Sequence, residues 1–189
     1  MNIKKVKNAF KVADVVLDKK HKVRRIKFIF LNDIFDENGK KLSKEILKDN
    51  AGRIYLIVIN RKIMKIGKSK ARGGIKATMS FYQGGMQGGP SIRTFGIHIL
   101  LKEELEKGKK AEIFMIPSKK TKLIVKGLFD EEKIDVSPDI LDIEFKCKQD
   151  YKNEEGKYPS WNFQENNETW RQDILKALNE HDRKRKSLN

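Results

Sequence analysis

The chain has 189 residues, of which 38% are hydrophobic, and it carries a formal net charge of +16. Its single cysteine excludes an internal disulfide and a cysteine-rich zinc site, and no apolar run approaches the roughly 18 residues of a membrane span. The charge makes a polyanion the expected partner, and the start of the chain lacks the apolar core of a signal peptide. We therefore expect a protein of the cytoplasm without a membrane partner.

The first fifty residues predict a basic extension. The stretch DKKHKVRR at 18–25 is strongly basic, and the apolar run Ile26–Leu31 that follows it has the length of a strand. We divide the chain into this N-terminal basic extension (1–50), a core (51–165) and a C-terminal helix with a basic tail (166–189).

Apolar runs predict four strands and one helix in the core. They are Arg53–Ile59, Ile63–Ile66, Ala111–Ile116 and Thr121–Lys126, with a helix-like segment near Ile97–Lys107. This order predicts an α+β fold: a small three-stranded antiparallel sheet core with flanking helices.

The first two strands form a predicted hairpin that carries Tyr55 and Lys65. A two-residue turn, Asn60–Arg61, places these side chains on opposite faces, whereas a three-residue loop, Asn60–Lys62, pairs Ile57 with Lys65 and places them on one face. Because the Asn-Gly pair favoured by two-residue turns is absent, we predict the three-residue loop and a shared face. The alternative is a surface lysine that extends its ammonium into water.

Residues 71–96 contain seven of the 13 glycines of the chain, six of them between 73 and 89. This density predicts a long irregular loop, and loops of that length in compact domains are often functional. Arginine and tyrosine side chains within it suit contacts with phosphates and bases. A surface loop without a function is the alternative.

Residues 137–151 fit two periodicities. Apolar and charged residues alternate from 141 to 148, as in a strand, but Ser137–Asp139 is typical of a helix start and Gly156 of a helix end. We favour the helix, because four residues fall on one helical face at spacings of 4, 3 and 4: Ile140, Glu144, Cys147 and Tyr151.

The last residues predict a second helix with a basic end. Trp170, Ile174, Leu175 and Leu178 recur at helical spacing before the run HDRKRK. We interpret this as a packing helix whose basic end is solvated and can contact phosphates.

Common catalytic motifs are absent. The sequence Gly67-Lys68-Ser69 suggests a phosphate-binding loop, but that motif needs a glycine where the chain has Lys62. There is also no nucleophile elbow and no metalloprotease motif. The chain is therefore not expected to be an NTPase or a hydrolase of those classes.

The hairpin instead resembles the one in GIY-YIG nucleases. Gly52-Arg53-Ile54-Tyr55 is similar to the first element of that family, and Lys65-Ile66-Gly67 is similar to the second. Lysine stands in place of the second tyrosine, as in some restriction-type members, and Pro159-Ser160-Trp161-Asn162 resembles a closing motif of several members. The resemblance covers roughly residues 52–163.

The resemblance implies a set of catalytic residues. In this family an arginine and a tyrosine or histidine follow the hairpin, and a helical glutamate that binds the metal ion precedes an asparagine. It leaves open whether the first or the second arginine of the glycine-rich segment is catalytic. The matching residues are Tyr55, Lys65, Arg72, Tyr82, Arg93, His98, Glu144 and Asn162.

Phosphodiester hydrolysis needs an activated water, a cation that stabilises charge and help for the leaving oxygen. Glu144 can hold one Mg²⁺ (or Mn²⁺) ion, since Mg²⁺ keeps most of its waters and accepts one or two protein carboxylates. Tyr55 can act as general base if cations such as Lys65 acidify its hydroxyl. We expect a Mg²⁺-dependent, type II restriction-like endonuclease on double-stranded DNA, for which a homodimer suits a palindromic site.

Two alternatives remain. If residues 137–151 form a strand, Asp139, Glu144 and Lys146 resemble the PD-(D/E)xK nuclease pattern. If the hairpin only packs and the glycine-rich loop only follows phosphates, the chain is a basic nucleic-acid-binding protein without catalysis. Mutation of Glu144 to Gln distinguishes them, because only a nuclease has cleavage to lose.

Overall fold

The computed structural model describes residues 1–18, 20, 26–118 and 121–187, so most of the basic stretch 18–25 lies outside the described residues. The strands are β1 (Phe10–Leu17), β2 (Ile26–Phe30), β3 (Ile34–Phe35), β4 (Lys41–Leu42), β5 (Arg53–Ile59), β6 (Lys62–Ser69), β7 (Ala111–Pro117), β8 (Thr121–Lys126) and β9 (Glu131–Val136). The helices are α1 (Gly74–Gln83), α2 (Ile92–Glu106), α3 (Ile140–Glu155) and α4 (Gln172–Lys186), with short 3₁₀ turns at Ile3–Lys5 and Lys44–Leu47. None of the described helices is long and apolar enough to cross a membrane.

Five strands form one antiparallel sheet in the order β2-β1-β7-β5-β6. The predicted α+β class is confirmed, but the sheet has five strands where we predicted three. The additional strands, β1 and β2, come from residues 1–50. Seven of the eight β1 residues are buried or half-buried, so β1 lacks the clear alternation of a strand with one wet face. The strand at the other end of the sheet is β6, and its outer edge is hydrogen-bonded in part by Met1, Trp161 and Asn162 instead of by a further strand.

Helices cover both faces of this sheet. Every residue of β5 is buried, and its side chains alternate between two apolar clusters. One cluster contains residues of α1, α2 and α4, and the other contains residues of α3. The outer edge of β6 therefore lies between α1 and α2 on one side and α3 on the other.

The β5–β6 hairpin reaches the predicted arrangement by a different route. Its turn has two residues, Asn60–Arg61, with φ angles of 45° and 68°, so the predicted three-residue loop is wrong. Met64 then forms a β-bulge, beyond which Ile57 pairs with Lys65. The bulge contains the one unpaired residue that we had assigned to the loop. Tyr55 and Lys65 therefore share a face as predicted.

Tertiary contacts explain why the short turn forms without a glycine. The backbone N–H of Asn60 donates to the Lys110 carbonyl, and the Asn60 side chain accepts from the Lys110 N–H, each at 2.8 Å. The Arg61 carbonyl accepts from the Ile3 N–H at 2.8 Å. These bonds hold two left-handed residues that local sequence preferences do not favour.

The glycine-rich segment is mostly helical, so the predicted irregular loop is wrong. Most of the glycines lie at the ends of helices: Gly73 and Gly74, with φ angles of 84° and 75°, begin α1, four lie between α1 and α2, and Gly96 lies within α2. Ser91 caps α2 by accepting a hydrogen bond from the Thr94 N–H. The helix predicted near Ile97–Lys107 is confirmed, but it begins at Ile92.

The helical interpretation of residues 137–151 is confirmed by α3. Its cap is Asp139, whose side chain accepts from the Leu141 N–H, and Gly156 ends it with a φ of 74°. The strand alternative and the PD-(D/E)xK interpretation are therefore wrong. Lys146, which that pattern needs at the site, is exposed and pairs with Asp150 one turn later.

The predicted C-terminal helix is α4. It packs on α2 through the buried Ile174, and it begins two residues after Trp170. The Trp170 ring lies against Gly96 of α2 and 4.4 Å from the Phe163 ring, so it belongs to the packing of the segment before α4.

Candidate active site

A cavity of about 550 Å³ lies beside the outer edge of β6. Its walls come from β5, β6, the start of α2, one face of α3 and the segment 161–170. Five predicted residues line it: Tyr55, Lys65, Arg93, Glu144 and Asn162.

Tyr55 on the cavity wall is paired with a second tyrosine behind it. The hydroxyls of Tyr55 on β5 and Tyr82 on α1 are 2.6 Å apart, and both side chains are buried. Burial raises the pKa of Tyr55 well above its ordinary value, Tyr82 adds to this, and the charge of Arg93 opposes it. Burial also raises the pKa of Tyr82. The acidification that we predicted for Tyr55 is therefore not found, and both hydroxyls are protonated at neutral pH.

Gly67 makes room for the Tyr55 ring. The two residues are paired across β5 and β6, and a Cβ on Gly67 would lie 2.4 Å from both the hydroxyl oxygen and Cζ of Tyr55. Real Cβ atoms do not approach other atoms so closely, so any other residue at position 67 displaces the tyrosine.

Lys65 is a buried cation on the cavity wall. Its side chain is only 7% exposed, and within the described residues its ammonium has no hydrogen-bond or ion-pair partner. Burial, reinforced by the charge of Arg93, lowers the pKa of Lys65 from its ordinary 10.5 to about 8. An unpaired buried ammonium is costly unless an anion joins it.

The second arginine of the glycine-rich segment, Arg93, reaches the cavity. It lies in the first turn of α2, is exposed, and donates a hydrogen bond to Gln164 at 3.0 Å. Its charge acts on Lys65 and on both tyrosines. Arg72 is exposed ahead of α1 and does not line the cavity.

Glu144 enters the cavity from α3. Its two oxygens accept hydrogen bonds from Lys68 at 2.6 Å and from Lys148 at 2.8 Å. Burial alone would raise the pKa of Glu144, but the bonds from Lys148 and Lys68 outweigh it, and the pKa lies below its ordinary value. Glu144 is therefore an ionised, half-desolvated carboxylate at the cavity wall.

Asn162 holds the backbone of the edge strand. Its amide donates to the carbonyl of Ile66 and accepts from the N–H of Ile66, both at 2.9 Å. The neighbouring Trp161 N–H donates to the carbonyl of Met64 at 2.8 Å. These bonds pair the segment with the edge of β6, so Asn162 fixes the position of the strand that carries Lys65 and Gly67.

His98 does not line the cavity. It is fully buried on α2, and its Nδ1 lies 2.8 Å from the carbonyl oxygen of Tyr82. His98 therefore positions the end of α1, which carries one of the two tyrosines.

Sequence reasoning missed three charged residues of the cavity: Lys68, Lys148 and Glu165. Lys68 follows Gly67 in the motif that failed as a phosphate-binding loop, and its strand position was a usable signal. Lys148 lies one helical turn after Glu144, a pairing that the spacing allowed. Glu165, which pairs with Lys148, carried no signal, because the segment that brings it there is irregular.

The donor set at Glu144 fits one hydrated divalent cation. Two carboxylates line the cavity, Glu144 and Glu165, and the open cavity beside Glu144 leaves space for the waters that Mg²⁺ retains. Lys68, whose side chain is 38% exposed, can leave the carboxylate for solvent. Glu144 is therefore the residue in this cavity that would hold the ion.

No family model and no curated protein sequence matches this chain. The solved structures to which the chain is similar include the following two. A mutant of bacteriophage T4 EndoII is 19% identical, with a TM-score of 0.49 over 86% of this chain and 98% of that chain. The restriction endonuclease HPY188I in complex with product DNA is 16% identical, with a TM-score of 0.42 over 80% of this chain and 78% of that chain.

Proposed function

We propose that this chain is a Mg²⁺-dependent (or Mn²⁺-dependent) endonuclease that hydrolyses double-stranded DNA, as a type II restriction-like member of the GIY-YIG superfamily. The observation that carries the proposal is the convergence of a buried tyrosine, a buried lysine, an arginine and a glutamate on one open cavity, with a second buried tyrosine hydrogen-bonded to the first. A phosphodiester suits these residues, because it is an anion that needs a cationic binding site. Its hydrolysis also needs a group that accepts a proton from water.

Lys65 and Arg93 form the cationic binding site for the phosphate. A phosphate oxygen would give Lys65 the anionic partner that it lacks among the described residues, and this would raise its pKa and keep it charged. Arg93 can form two-point contacts with phosphate oxygens from the rim. The formal net charge of +16 attracts a polyanion to this binding site.

The tyrosine pair handles the proton of the attacking water. Tyr55 lines the cavity and Tyr82 supports it from behind. Tyr55 can take up the proton of water after it has released its own proton to solvent, and Tyr82 stabilises the resulting oxyanion by donating a hydrogen bond, so the two titrate as a pair. The charge of Arg93 favours that ionisation.

Glu144 holds the metal ion in this proposal. When bound, the ion neutralises charge on the phosphate and on the leaving oxygen. Lys148 bonds to one oxygen of Glu144 and also to Glu165, so the carboxylate keeps a fixed orientation when Lys68 turns to solvent.

Cleavage of plasmid and linear duplex DNA with and without Mg²⁺ tests the proposal. We expect Glu144→Gln to abolish Mg²⁺-dependent cleavage while duplex binding survives. The matched control is Glu112→Gln, because Glu112 is also buried and held by two lysines, Lys11 and Lys110, but it lies outside the cavity. Cleavage by Glu144→Gln at the wild-type rate contradicts the proposal. Duplex binding without cleavage by the wild type favours the non-catalytic alternative.

A second pair of variants tests the arginine. We expect Arg93→Ala to lower the cleavage rate by about 10- to 100-fold, as expected for loss of a charged hydrogen bond to phosphate. Arg72→Ala is expected to lower it far less, since Arg72 does not line the cavity. The reverse order would mean that the glycine-rich segment rearranges on DNA.

A further inference from the structure

The charges of the chain are unevenly distributed along its sequence. Residues 50–102 contain six lysines and four arginines but no aspartate or glutamate, although the whole chain has 26 acidic residues. This segment forms β5, β6, α1 and most of α2, and it supplies Tyr55, Lys65 and Arg93 to the cavity. We call residues 50–102 the acid-free segment, because only acids from other elements can pair with its cations.

The last turn of α4 packs on this acid-free segment, at the loop between α1 and α2. His181 Nε2 lies 2.8 Å from the carbonyl oxygen of Gly88. The Arg185 guanidinium lies against Gly89, where a Cβ would be 2.8 Å from Nη1. Two residues of α4, one helical turn apart, therefore contact the same loop.

The loop leads directly into the cavity. Ser91, two residues after Gly89, lines the cavity, and so does Arg93 in the first turn of α2. A residue spans at most about 3.6 Å of chain, so the backbones of Gly89 and Arg93 are at most about 14 Å apart. One DNA strand advances about 3.4 Å along the helix axis for each phosphate. Arg185, which lies on Gly89, can therefore contact the same strand a few phosphates away from Arg93.

Four consecutive cations, residues 183–186, end α4, and all of them are exposed. Lys184 and Arg185 follow His181 by three and four residues, so they lie on the face that packs on the loop. Arg183 precedes Arg185 by two residues, which places it about 160° away around the helix. Two of these cations therefore face the loop, and Arg183 faces away from it.

Cations at the end of a helix also stabilise the helix itself, because its last carbonyls are partly negative. That effect acts on Arg183 and Arg185 alike, so it does not account for the contact between Arg185 and the loop. Arg185 has one distant ion pair, with Asp182 at 3.7 Å, and Lys184 has no ion pair among the described residues. A cationic surface that is not neutralised by acids suits the backbone of a polyanion.

We infer that Lys184 and Arg185, together with the loop between α1 and α2, bind the phosphate backbone of duplex DNA beside the cavity. The inference rests on the proposed function in one respect, since it takes the phosphate at the cavity to belong to a duplex. Gly88 and Gly89 are exposed, and without side chains they let a phosphate approach the backbone of the loop. Contacts to phosphates position a duplex without reading its sequence. This surface therefore extends the binding site along one strand and orients the duplex over the cavity.

The salt dependence of duplex binding tests this inference. Fluorescence anisotropy of a labelled duplex in EDTA measures affinity without cleavage. Arg185→Ala is expected to lower the affinity by about 10-fold. It is also expected to reduce the slope of log affinity against log salt concentration by about 1, since one phosphate contact is lost, and Lys184→Ala should do the same. The matched control is Arg183→Ala, which removes the same side chain from the opposite face of the same helical turn and should keep the wild-type slope.

Chemical modification tests the geometry of the contact. Phenylglyoxal modifies exposed arginines, and mass spectrometry locates the modified residues. Duplex DNA is expected to protect Arg93 and Arg185 and to leave Arg183 reactive. The melting temperatures of Arg183→Ala and Arg185→Ala are expected to be equal, because each variant loses one charge from the same end of α4.

Three outcomes overturn the inference. They are a wild type that binds no duplex, equal salt slopes for Arg185→Ala and Arg183→Ala, and an Arg185 that the duplex does not protect. If binding depends on Arg185 but Mg²⁺ produces no cleavage, the proposed function fails and this inference stands. If Glu144→Gln abolishes cleavage but Arg185→Ala binds like the wild type, this inference fails alone.

Discussion

Two hairpins of similar sequence have opposite environments in this protein. RIYLIVI of β5 and TKLIVK of β8 are both apolar runs with β-branched residues, and each pairs with its neighbour in an antiparallel ladder. Every residue of β5 is buried, whereas every residue of β8 and β9 is exposed. Burial is therefore decided by the elements that pack on a hairpin, not by its own composition.

The difference shows which residues are informative in each hairpin. In β5–β6 the apolar residues are ordinary, and the anomaly is the buried, unpaired Lys65, which indicates chemistry. In β8–β9 the charged residues are ordinary, and the anomaly is the exposed Leu128 and Phe129, which indicate binding. Lysines are usually exposed and large apolar residues are usually buried. The buried Lys65 and the exposed Leu128 and Phe129 are therefore the exceptions that indicate a role for each hairpin.

The largest expected effect comes from adding one methyl group inside the buried hairpin. Gly67→Ala places a Cβ 2.4 Å from the Tyr55 hydroxyl, so the ring must move away from its position at the cavity wall. A displacement of about 1 Å in a catalytic group lowers rates by about 100-fold, and we expect at least this loss of cleavage. Gly84→Ala is the control, because its Cβ would meet its nearest neighbour, the Ser80 carbonyl oxygen, at 3.3 Å. Equal activity of the two variants would show that Tyr55 is not needed in its present position.

The second prediction concerns the stability cost of the buried cation. Lys65→Met replaces an unpaired ammonium with an apolar side chain of similar length, and we expect the free energy of unfolding at pH 7 to rise by about 1–3 kcal/mol. Cleavage is expected to be lost in the same variant. Lys133→Met, in the exposed β8–β9 hairpin, is the control, and it should leave the melting temperature unchanged.

The pH dependence of this gain follows from the pKa of Lys65. Because folding lowers that pKa from 10.5 to about 8, the unfolded chain binds more protons in this interval, and the wild type gains stability as pH rises through it. The advantage of Lys65→Met is therefore greatest below pH 8 and disappears toward pH 10.5. A constant difference in melting temperature from pH 7 to pH 10 would mean that Lys65 does not titrate in this range.

Much of the fold could be predicted from local patterns. The apolar run of β5 and the face of α3 that carries Ile140, Glu144 and Tyr151 were predicted correctly, because burial repeats at the period of the element. The turn and the bulge at Met64 were not, because contacts with Lys110 and Trp161 hold them. Those partners lie about 50 to 100 residues away along the chain.

The candidate site was predictable only where a residue belonged to a regular element. Tyr55, Lys65 and Glu144 lie on elements whose faces could be inferred, and they meet at the cavity. The approach of Tyr82 to Tyr55 depends on how α1 packs, in a segment whose glycines suggested a loop. Glu165 depends on an irregular segment for which sequence periodicity gives no signal.

The smallest expected effect separates the two faces of the β8–β9 hairpin. Val125 and Ile124 are neighbours on β8, but Val125 lies on the face of Leu123 and Ile134, which is apolar except for Thr121 and Glu132, and Ile124 lies on the charged face opposite Lys133. If the apolar face packs on a second copy, Val125→Thr places a hydroxyl in that interface and weakens the dimer by about 1 kcal/mol per site, which sedimentation equilibrium can measure. Ile124→Thr is expected to leave the dimer unchanged, since its side chain points away from the partner. Equal weakening by both substitutions would mean that the β8–β9 hairpin does not pack by one face. The contrast with the buried β5–β6 hairpin would then rest on the turn residues Leu128 and Phe129 alone.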